Sequence, residues 1–393
     1  MTTNTSTING DGNIALQNII GNITIVMGPD LPIEVKQQKE RMKVTLTELA
    51  NTISIIDGKI NAAQKPEPFS PPEGDANYDA IKWRPLKQAL SHQGCVLFIG
   101  PEISVNSQGK SLHQEFYLEL DKDYDEIEYM EQEGYFSPDS EAIIRYDIQD
   151  FYQKVFPKKN ITGRKILEQL AQVPFSLIIS ICPDDTVHRV FEDYDLGHQF
   201  LEYDGTKQEA EPMTPEKPVI YNILGNAASN DGYIFTHEKF YNYLNKIFIP
   251  SEIKKKIQDA THYVFIGFDF NKWYNRLLLF ILDFGQKKSG AHRMTIGRKD
   301  VKEDIEKFIA KQFNITFIDN DYNKFIEWLI YNVNEQELLR NLNQYFVQNS
   351  ILKLTSVSSK VVLENDLDEL RKMETQIGEI GKRIMNFNNK ITN

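Results

Sequence analysis

The sequence has few of the residues that build metal centres, disulfide frameworks or membrane spans. It contains two cysteines, Cys95 and Cys182, among 393 residues, which fits a reducing compartment and excludes a four-cysteine zinc site. Its seven histidines show neither H-E-x-x-H nor H-x-x-x-H spacing, so no metal site is predicted. The longest apolar run, Leu277–Leu282, is far shorter than the ~20 residues that span a bilayer and predicts a buried helix.

Positive charge is also scarce. Lys and Arg number 44 against 56 Asp and Glu, a net charge of −12. Non-specific nucleic-acid binding needs a concentrated basic face, so nucleic acid is not expected as a partner. The first residues, MTTNTSTINGDGN, lack the basic and apolar regions of a signal peptide. We therefore expect a cytoplasmic protein without a membrane partner.

The first 77 residues divide into three predicted segments. Residues 1–30 contain two alternating apolar stretches around a turn at 18–22, which predicts a β-hairpin. A hairpin alone is marginal in water, so we expect it to pair with another sheet, such as that of a second copy. Residues 31–63 predict an amphipathic helix, packed either on its own domain or on a partner helix. Residues 64–77 contain four prolines and predict a linker.

Residues 78–333 show the pattern of an α/β domain. Short, continuous apolar runs alternate with helical patterns, as expected of a Rossmann-like, mostly parallel sheet with helices on both faces. The predicted strands are Cys95–Ile99, Leu177–Ile181, Val219–Ile223, Tyr263–Ile266, Arg293–Ile296 and Ile315–Ile318.

Residues 334–393 predict a C-terminal helical region. Its last segment carries a continuous apolar stripe that matches the one in residues 31–63, so the two long helices are predicted to pack together or to self-associate. The stripe comprises Leu363, Leu367, Leu370, Met373, Ile377, Ile380, Ile384, Phe387 and Ile391.

Four segments of the α/β domain have the form of ligand-binding motifs. Residues 96–104 (VLFIGPEIS) and 263–279 (YVFIGFDFNKWYNRLLL) each run from a strand through a glycine turn into a helical pattern. That arrangement places a pyrophosphate on a helix N-terminus in Rossmann folds. Residues 176–185 (SLIISICPDD) form a strand that ends in a polar loop, and 219–244 contain a strand, a loop and a helix start.

In order and spacing, these segments resemble the motifs of the sirtuin-like family, in particular its bacterial branch, whose active members destroy NAD during anti-phage defence. The resemblance covers roughly residues 90–320. The family patterns are Gly-Ala-Gly-x-Ser, Thr-x-Asn-Tyr-Asp, His-Gly before Thr-Glu-x-x-Tyr, and Gly-Tyr-Ser-x-x-Asp. The matching residues are Gly100, Ser104, Ser180, Asp184, Gly225, Thr236, Glu238, Tyr241 and Gly267.

The departures from these patterns fall on the positions that the family uses for chemistry. The second glycine of the first turn is Glu102, preceded by Pro101. Proline has no N–H to donate, and a carboxylate beside a pyrophosphate costs ~1 kcal/mol or more in repulsion. The family's catalytic asparagine aligns with Cys182 and its catalytic histidine with Leu224, which cannot accept a proton.

The last aspartate of the fourth pattern aligns with Lys272. By this resemblance the positions lining the cofactor cleft are Gly100, Glu102, Ser104, Cys182, Asp184, Leu224, Gly225 and Gly267. No catalytic residue and no metal ligand is assigned, and no cofactor is expected, although NAD or ADP-ribose would fit a retained cleft. Sirtuin deacetylases carry a four-cysteine zinc module that two cysteines cannot supply, so deacetylation is not expected.

Some residues offer alternatives to a lost site. Cys182 is either a nucleophile or a buried apolar cysteine, and the second is commoner. Asp184 and Asp185 form either a carboxylate pair or a helix cap, and the cap is favoured. His237 either enters the cleft or opens a helix at the surface, which we favour.

The sequence leads to three functional hypotheses. The first is a catalytically inactive structural or adaptor protein of a bacterial defence or stress assembly, acting as a homo-oligomer with a protein effector as partner. The second is an NAD hydrolase that uses non-standard residues. The third is a sensor that binds a nucleotide without cleaving it.

Overall fold

The computed structural model describes most of the α/β domain. The described residues are 81–137, 141–194, 196–229, 232–282, 284, 290–297, 301–319, 321–334, 338–340 and 342. All of them except Leu342 belong to one compact unit, Ser70–Arg340. The predicted hairpin, linker and two long helices lie outside the described residues.

A seven-stranded parallel sheet organises this unit. Its strands are β1 (Cys95–Ile99), β4 (Leu177–Ser180), β5 (Gln199–Glu202), β6 (Val219–Asn222), β7 (His262–Ile266), β8 (His292–Gly297) and β9 (Ile315–Asp319). A separate antiparallel pair consists of β2 (Tyr129–Met130) and β3 (Tyr135–Phe136). The strand order in the large sheet is β5-β6-β4-β1-β7-β8-β9, and every pair of neighbours is parallel.

Helices connect the strands of the large sheet except β5 and β6, so the Rossmann-like α/β class predicted from the sequence is confirmed. They are α1 (Trp83–Ser91), α2 (Leu112–Asp123), α3 (Glu141–Asp150), α4 (Phe156–Lys159), α5 (Ile161–Gln172), α6 (Thr186–Asp193), α7 (His237–Lys246), α8 (Ser251–Asp259), α9 (Trp273–Ile281), α10 (Glu303–Phe313) and α11 (Tyr322–Asn334). A π-helical turn, Phe151–Val155, joins α3 to α4.

Burial follows the position of each strand in the sheet. Every residue of β1, β4, β6 and β7 is buried, as a strand covered by helices on both faces requires. All four residues of β5, at one edge, are only half-buried. This edge strand, QFLE, has no continuous apolar run, and the sequence analysis missed it.

The helix α9 is less enclosed than its apolar sequence predicts. Leu278 and Leu279 are buried, but the next residue, Phe280, is 47% exposed and packs edge-on against Phe313. No helix within the described ranges combines the length and the apolarity needed to cross a bilayer.

Arg340, which follows α11 in the sequence, binds backbone carbonyls of other segments of this unit. Its guanidinium donates to the carbonyl oxygens of Ala171 (2.8 Å), Val173 (2.9 Å) and Phe175 (2.9 Å), and also to Pro215. One planar group with five donors therefore satisfies the backbone that leads from α5 into β4.

Candidate functional site

The candidate site lies at the carboxyl ends of β1 and β7. From β1 the chain builds one half of the sheet through β4, β5 and β6, and then crosses back to β7 on the other side of β1. Ligands of open α/β sheets bind at such a switch point, outside the carboxyl ends of the strands. Gly100 directly follows β1 and Gly267 directly follows β7, so these two of the resemblance-based positions lie where a ligand of such a fold is expected.

The turn after β1 uses most of its backbone donors within the chain. The Gly100 N–H donates to the oxygen of Ile266 (2.8 Å), the Glu102 N–H to Gly267 (3.1 Å) and the Ser104 N–H to Pro101 (3.0 Å). Residues 101–103 form a single turn of 3-10 helix, which the proline opens. Since Pro101 has no N–H, three of the four donors between residues 100 and 104 are bonded inside the chain.

Gly100 and Gly267 approach each other too closely for any side chain. A Cβ on Gly100 would lie 2.1 Å from the Gly267 oxygen, and one on Gly267 would lie 2.6 Å from the Gly100 oxygen. Gly267 also has φ +74°, a conformation that glycine adopts at no steric cost. The close contact between the two backbones is therefore sufficient to explain why both positions are glycine, and no bound phosphate is needed to explain it.

Lys272, which the sequence resemblance aligns with an aspartate, has a structural role. Its Nζ donates to the oxygens of Glu131 and, at 3.2 Å, Gln132. Both carbonyls belong to the turn between β2 and β3. The lysine therefore fastens the small antiparallel pair to the start of α9.

Cys182 is a buried thiol at the end of β4. It is 3% exposed, its N–H donates to Ser180 Oγ (3.1 Å), and its Sγ lies 3.9 Å from the Ile99 oxygen. Burial, with a smaller contribution from Asp184, raises the pKa of this thiol well above its usual value. A neutral buried thiol is a poor nucleophile, which agrees with the apolar interpretation.

Leu224, which aligns with the family's histidine, is fully buried after β6. Its carbonyl accepts the Ile234 N–H (3.1 Å). Gly225 follows with φ +87°, and a Cβ there would lie 2.6 Å from the Gly232 oxygen. The hydroxyl of Tyr233 donates to the Ile181 oxygen (3.1 Å), so the loop after β6 packs down onto the end of β4.

The pair Asp184 and Asp185 begins α6. One Asp184 carboxylate oxygen accepts the Thr186 N–H (2.8 Å), a local turn bond made from the position before the N-cap. Asp185 occupies the N-cap position without a side-chain cap bond and pairs instead with Arg189 (2.6 Å). Burial raises the pKa of both carboxyl groups.

A buried polar chain extends from Asp184 into the core. The second carboxylate oxygen of Asp184 lies 3.7 Å from Nε2 of His113. The other ring nitrogen of His113 is 2.8 Å from the Tyr152 hydroxyl, which is 3.0 Å from that of Tyr117. His113 is 4% exposed and stacks on Phe156, and burial lowers its pKa to about 3. This ring is therefore neutral at pH 7.

The sequence analysis did not predict this buried cluster of polar side chains, although one part of it was visible in the sequence. His113 and Tyr117 are four residues apart on α2 and therefore lie on one face of the helix. Tyr152 comes from the π-helical turn and Asp184 from the loop after β4. Only the fold brings these residues together.

Ser104 lies beside a second polar residue at the start of α5. A Cβ on Gly163 would meet the Asn160 carboxamide oxygen at 2.2 Å and Ser104 Oγ at 2.9 Å. Asn160 is 1% exposed, and neither polar atom of its side chain has a hydrogen-bond partner among the described residues. Gly163 is thus required for Ser104 and Asn160 to pack against α5.

The remaining family matches serve the start of α7. Thr236 Oγ1 accepts the Lys239 N–H (3.3 Å) as an N-cap, Glu238 is exposed in the first turn, and Tyr241 is 56% exposed. His237 is half-buried against the ring of Tyr135, 5.3 Å between centroids. Of these residues, Thr236 therefore has a local structural role as the cap of the helix.

Comparison with solved structures shows a distant likeness. No protein-family model matches the chain, and no curated protein matches it. A solved structure described as "Structural Basis for the Mechanism and Regulation of Sir2 Enzymes" is 11% identical, with a TM-score of 0.33, and covers 65% of this chain and 98% of its own. At this level of similarity the match supports no inference about activity or ligands.

Proposed function

We propose that this chain is a non-catalytic, Rossmann-like protein that acts by association, as a structural or adaptor component of a bacterial defence or stress assembly in the cytoplasm. Its partners are further copies of itself and a protein effector. The proposed loss of catalysis is supported above all by one observation. Backbone N–H groups at the switch point donate to carbonyl oxygens of the protein itself, most notably Glu102 N–H to the Gly267 oxygen. The defence role rests on the sequence resemblance.

The positions that would bind a nucleotide or act in catalysis are used here for packing or for hydrogen bonds within the protein. A pyrophosphate needs free backbone donors at the turn, and those of Gly100, Glu102 and Ser104 are bonded. The general base is replaced by the buried Leu224, and the asparagine by a buried thiol, Cys182. A retained fold with reassigned positions favours a scaffold over an enzyme.

The full chain is expected not to consume NAD. Because the turn offers a phosphate few donors and Glu102 adds a like charge, incubation of the purified full-length protein with NAD should leave its concentration equal to that in buffer, as measured by chromatography. NAD loss proportional to protein concentration would overturn the proposed lack of catalysis. Heat on titration with NAD or ADP-ribose, without turnover, would favour the sensor.

One observation favours NAD hydrolysis as the second candidate. His113 Nε2 has no hydrogen-bond partner among the described residues and lies 3.7 Å from a buried carboxylate, Asp184. An imidazole oriented by Tyr152 beside a carboxylate has the geometry of a general base with an orienting group, but burial lowers its pKa to about 3, so it would be a weak base at pH 7. If NAD is consumed, His113→Phe should abolish turnover, and His237→Gln, a half-buried histidine outside this chain of residues, should preserve it.

Association is expected to depend on residues 1–63. Their sequence predicts a hairpin with unpaired edges and an apolar helical seam, both of which favour pairing with another chain. Light scattering should therefore give a multiple of the chain mass for the full protein and a smaller particle for a variant that begins at residue 64. An unchanged particle would contradict this part of the proposal, whatever the NAD assay shows.

A further inference from the structure

Two phenylalanine side chains are exposed on the adjacent helices α9 and α10. Phe280 on α9 is 47% exposed, and Phe308 on α10 is 43% exposed. Both rings pack against the buried ring of Phe313, with centroids 4.8 Å and 6.0 Å from it. The two exposed rings therefore belong to one apolar surface, here called the α9–α10 patch. Exposed apolar patches of this kind mark sites of association, and the patch contains none of the positions assigned to the cofactor cleft.

The exposed face of α10 carries opposite charges on the two sides of Phe308. Ile309 and Phe313 point into the core, whereas Asp304, Phe308 and Lys311 are exposed. The last three follow an i, i+4, i+7 spacing, which places them on one face of the helix. This face therefore reads acid, aromatic, base from the start of α10 to its end.

The charges of Asp304 and Lys311 are not neutralised within the part of the chain that the structure describes. Lys307 pairs with Glu303 on the same helix, but neither Asp304 nor Lys311 has an ion-pair partner among the described residues. Seven residues of helix separate Asp304 from Lys311 by about 10 Å, which is too far for them to pair with each other. A partner that carries a base and an acid in the opposite order would neutralise both.

A second copy of α10, running antiparallel, has that order of charges. The midpoint between Asp304 and Lys311 falls between Lys307 and Phe308. A two-fold axis at this point places Asp304 of each copy opposite Lys311 of the other. Two-fold contacts use the same surface on both copies, so each pairing occurs twice. The two Phe308 rings then lie beside the axis, at the centre of the contact, where aromatic residues contribute most to binding.

We propose that the α9–α10 patch is a two-fold contact between copies of this chain. In it α10 packs antiparallel on α10 of the second copy, Phe280 and Phe308 become buried, and Asp304 pairs with Lys311 across the contact. This inference rests on the proposed function as a self-associating protein, and it adds a contact that does not involve residues 1–63. A contact of this size lies at the small end of protein interfaces, so we expect it to depend on protein concentration.

The first test removes the aromatic rings. The dissociation constant for self-association of the full-length protein is measured by sedimentation over a wide range of concentration. Phe308→Gln removes a central aromatic residue and should weaken self-association about 10-fold or more. Phe280→Gln should weaken it in the same direction. Both side chains are already exposed, so both variants are expected to fold.

The second test reverses the charges. Asp304→Lys brings two lysines together at each end of the contact and should weaken self-association about 10-fold or more, because like charges across an interface repel. Lys311→Asp should have the same effect. The double variant with Asp304→Lys and Lys311→Asp exchanges the two charges and should restore the wild-type dissociation constant. This rescue requires that the two positions meet across the contact.

Two control variants change similar residues elsewhere on the surface. Tyr146→Gln removes an aromatic side chain that is 72% exposed on α3. Glu119→Lys reverses an exposed charge on α2. Neither residue belongs to the α9–α10 patch, so both variants should have the dissociation constant of wild type.

The proposed contact would be wrong if Phe308→Gln associated as tightly as wild type, or if the double charge variant associated no more tightly than Asp304→Lys. Either result would leave association through residues 1–63 standing, because the truncation described above tests that separately. A wild-type protein that stayed monomeric at every concentration would overturn both this contact and the proposed association.

Discussion

Gly267→Ala is expected to destabilise the protein by about 3 kcal/mol or more, as the sum of a conformational and a packing cost. A non-glycine residue in the left-handed region costs ~1–2 kcal/mol, and Gly267 has φ +74°. The new Cβ would also lie 2.6 Å from the Gly100 oxygen and 3.0 Å from the Ile103 nitrogen. Backbone atoms of two parallel strands cannot yield as a flexible side chain does. Urea denaturation of wild type and variant measures the difference.

Gly290→Ala is the matched control for this change. Gly290 has φ +81°, and a Cβ there would meet nothing within 4 Å. It therefore shares the conformational cost, expected to be ~1 kcal/mol once the reduced freedom of the unfolded chain is allowed for. Equal destabilisation of the two variants would show that the approach of Gly100 to Gly267 is not tight, and would weaken the argument that the switch point is closed by backbone contact.

The sequence predicted the buried strands well because strands in the centre of the sheet must be apolar along their whole length. A central parallel strand is covered on both faces, so β1, β7 and their neighbours are continuous apolar runs. The edge strand Gln199–Glu202 was missed because its residues are half-buried and mixed in polarity. Glycine turns were also visible, but their role was not, since Gly267 looks the same whether it approaches a phosphate or another backbone.

Side-chain clusters from separate elements were beyond the sequence. The interpretation of Cys182 as a buried apolar cysteine followed from residue type, and its burial agrees with it. Asp184 was interpreted as a helix cap, but the N-cap position belongs to Asp185, and Asp184 makes a turn bond to Thr186 N–H instead. The pairing of His113 with Asp184, and of His262 with His292, depends on helix packing and strand register. These distances arise only when the sheet is assembled, and no local pattern encodes them.

The second large effect concerns the pH dependence of stability and its source in His113. The pKa of this ring is about 3 in the folded protein, below the unfolded value of 6.5, because burial disfavours the charged form. As the pH falls below 6.5 the unfolded chain therefore gains a proton that the native state does not accept until about pH 3. The free energy of unfolding should drop by about 2 kcal/mol between pH 7.5 and pH 5 from this residue alone.

Asp184 acts in the opposite direction. Burial raises its pKa in the folded state, so the native protein takes up a proton first as the pH falls, and acidification is stabilising through this group. Replacing this aspartate by asparagine should therefore make the loss of stability on acidification steeper than in wild type. The substitution Asp184→Asn keeps the size of the side chain and the acceptor for the Thr186 N–H.

His113→Phe isolates the contribution of the histidine, because phenylalanine keeps the stacking on Phe156 and cannot be protonated. Urea denaturation from pH 7.5 to pH 5 gives the free energy of unfolding of both proteins, and the wild-type value minus the variant value should fall by the ~2 kcal/mol assigned to the ring. His262 titrates in the same sense but is present in both proteins, so it cancels in the comparison. If the free energies of unfolding of the two proteins instead changed with pH in parallel, His113 would be accessible to water in the folded state. The polar side chains from Asp184 to Tyr117 would then not form a buried cluster.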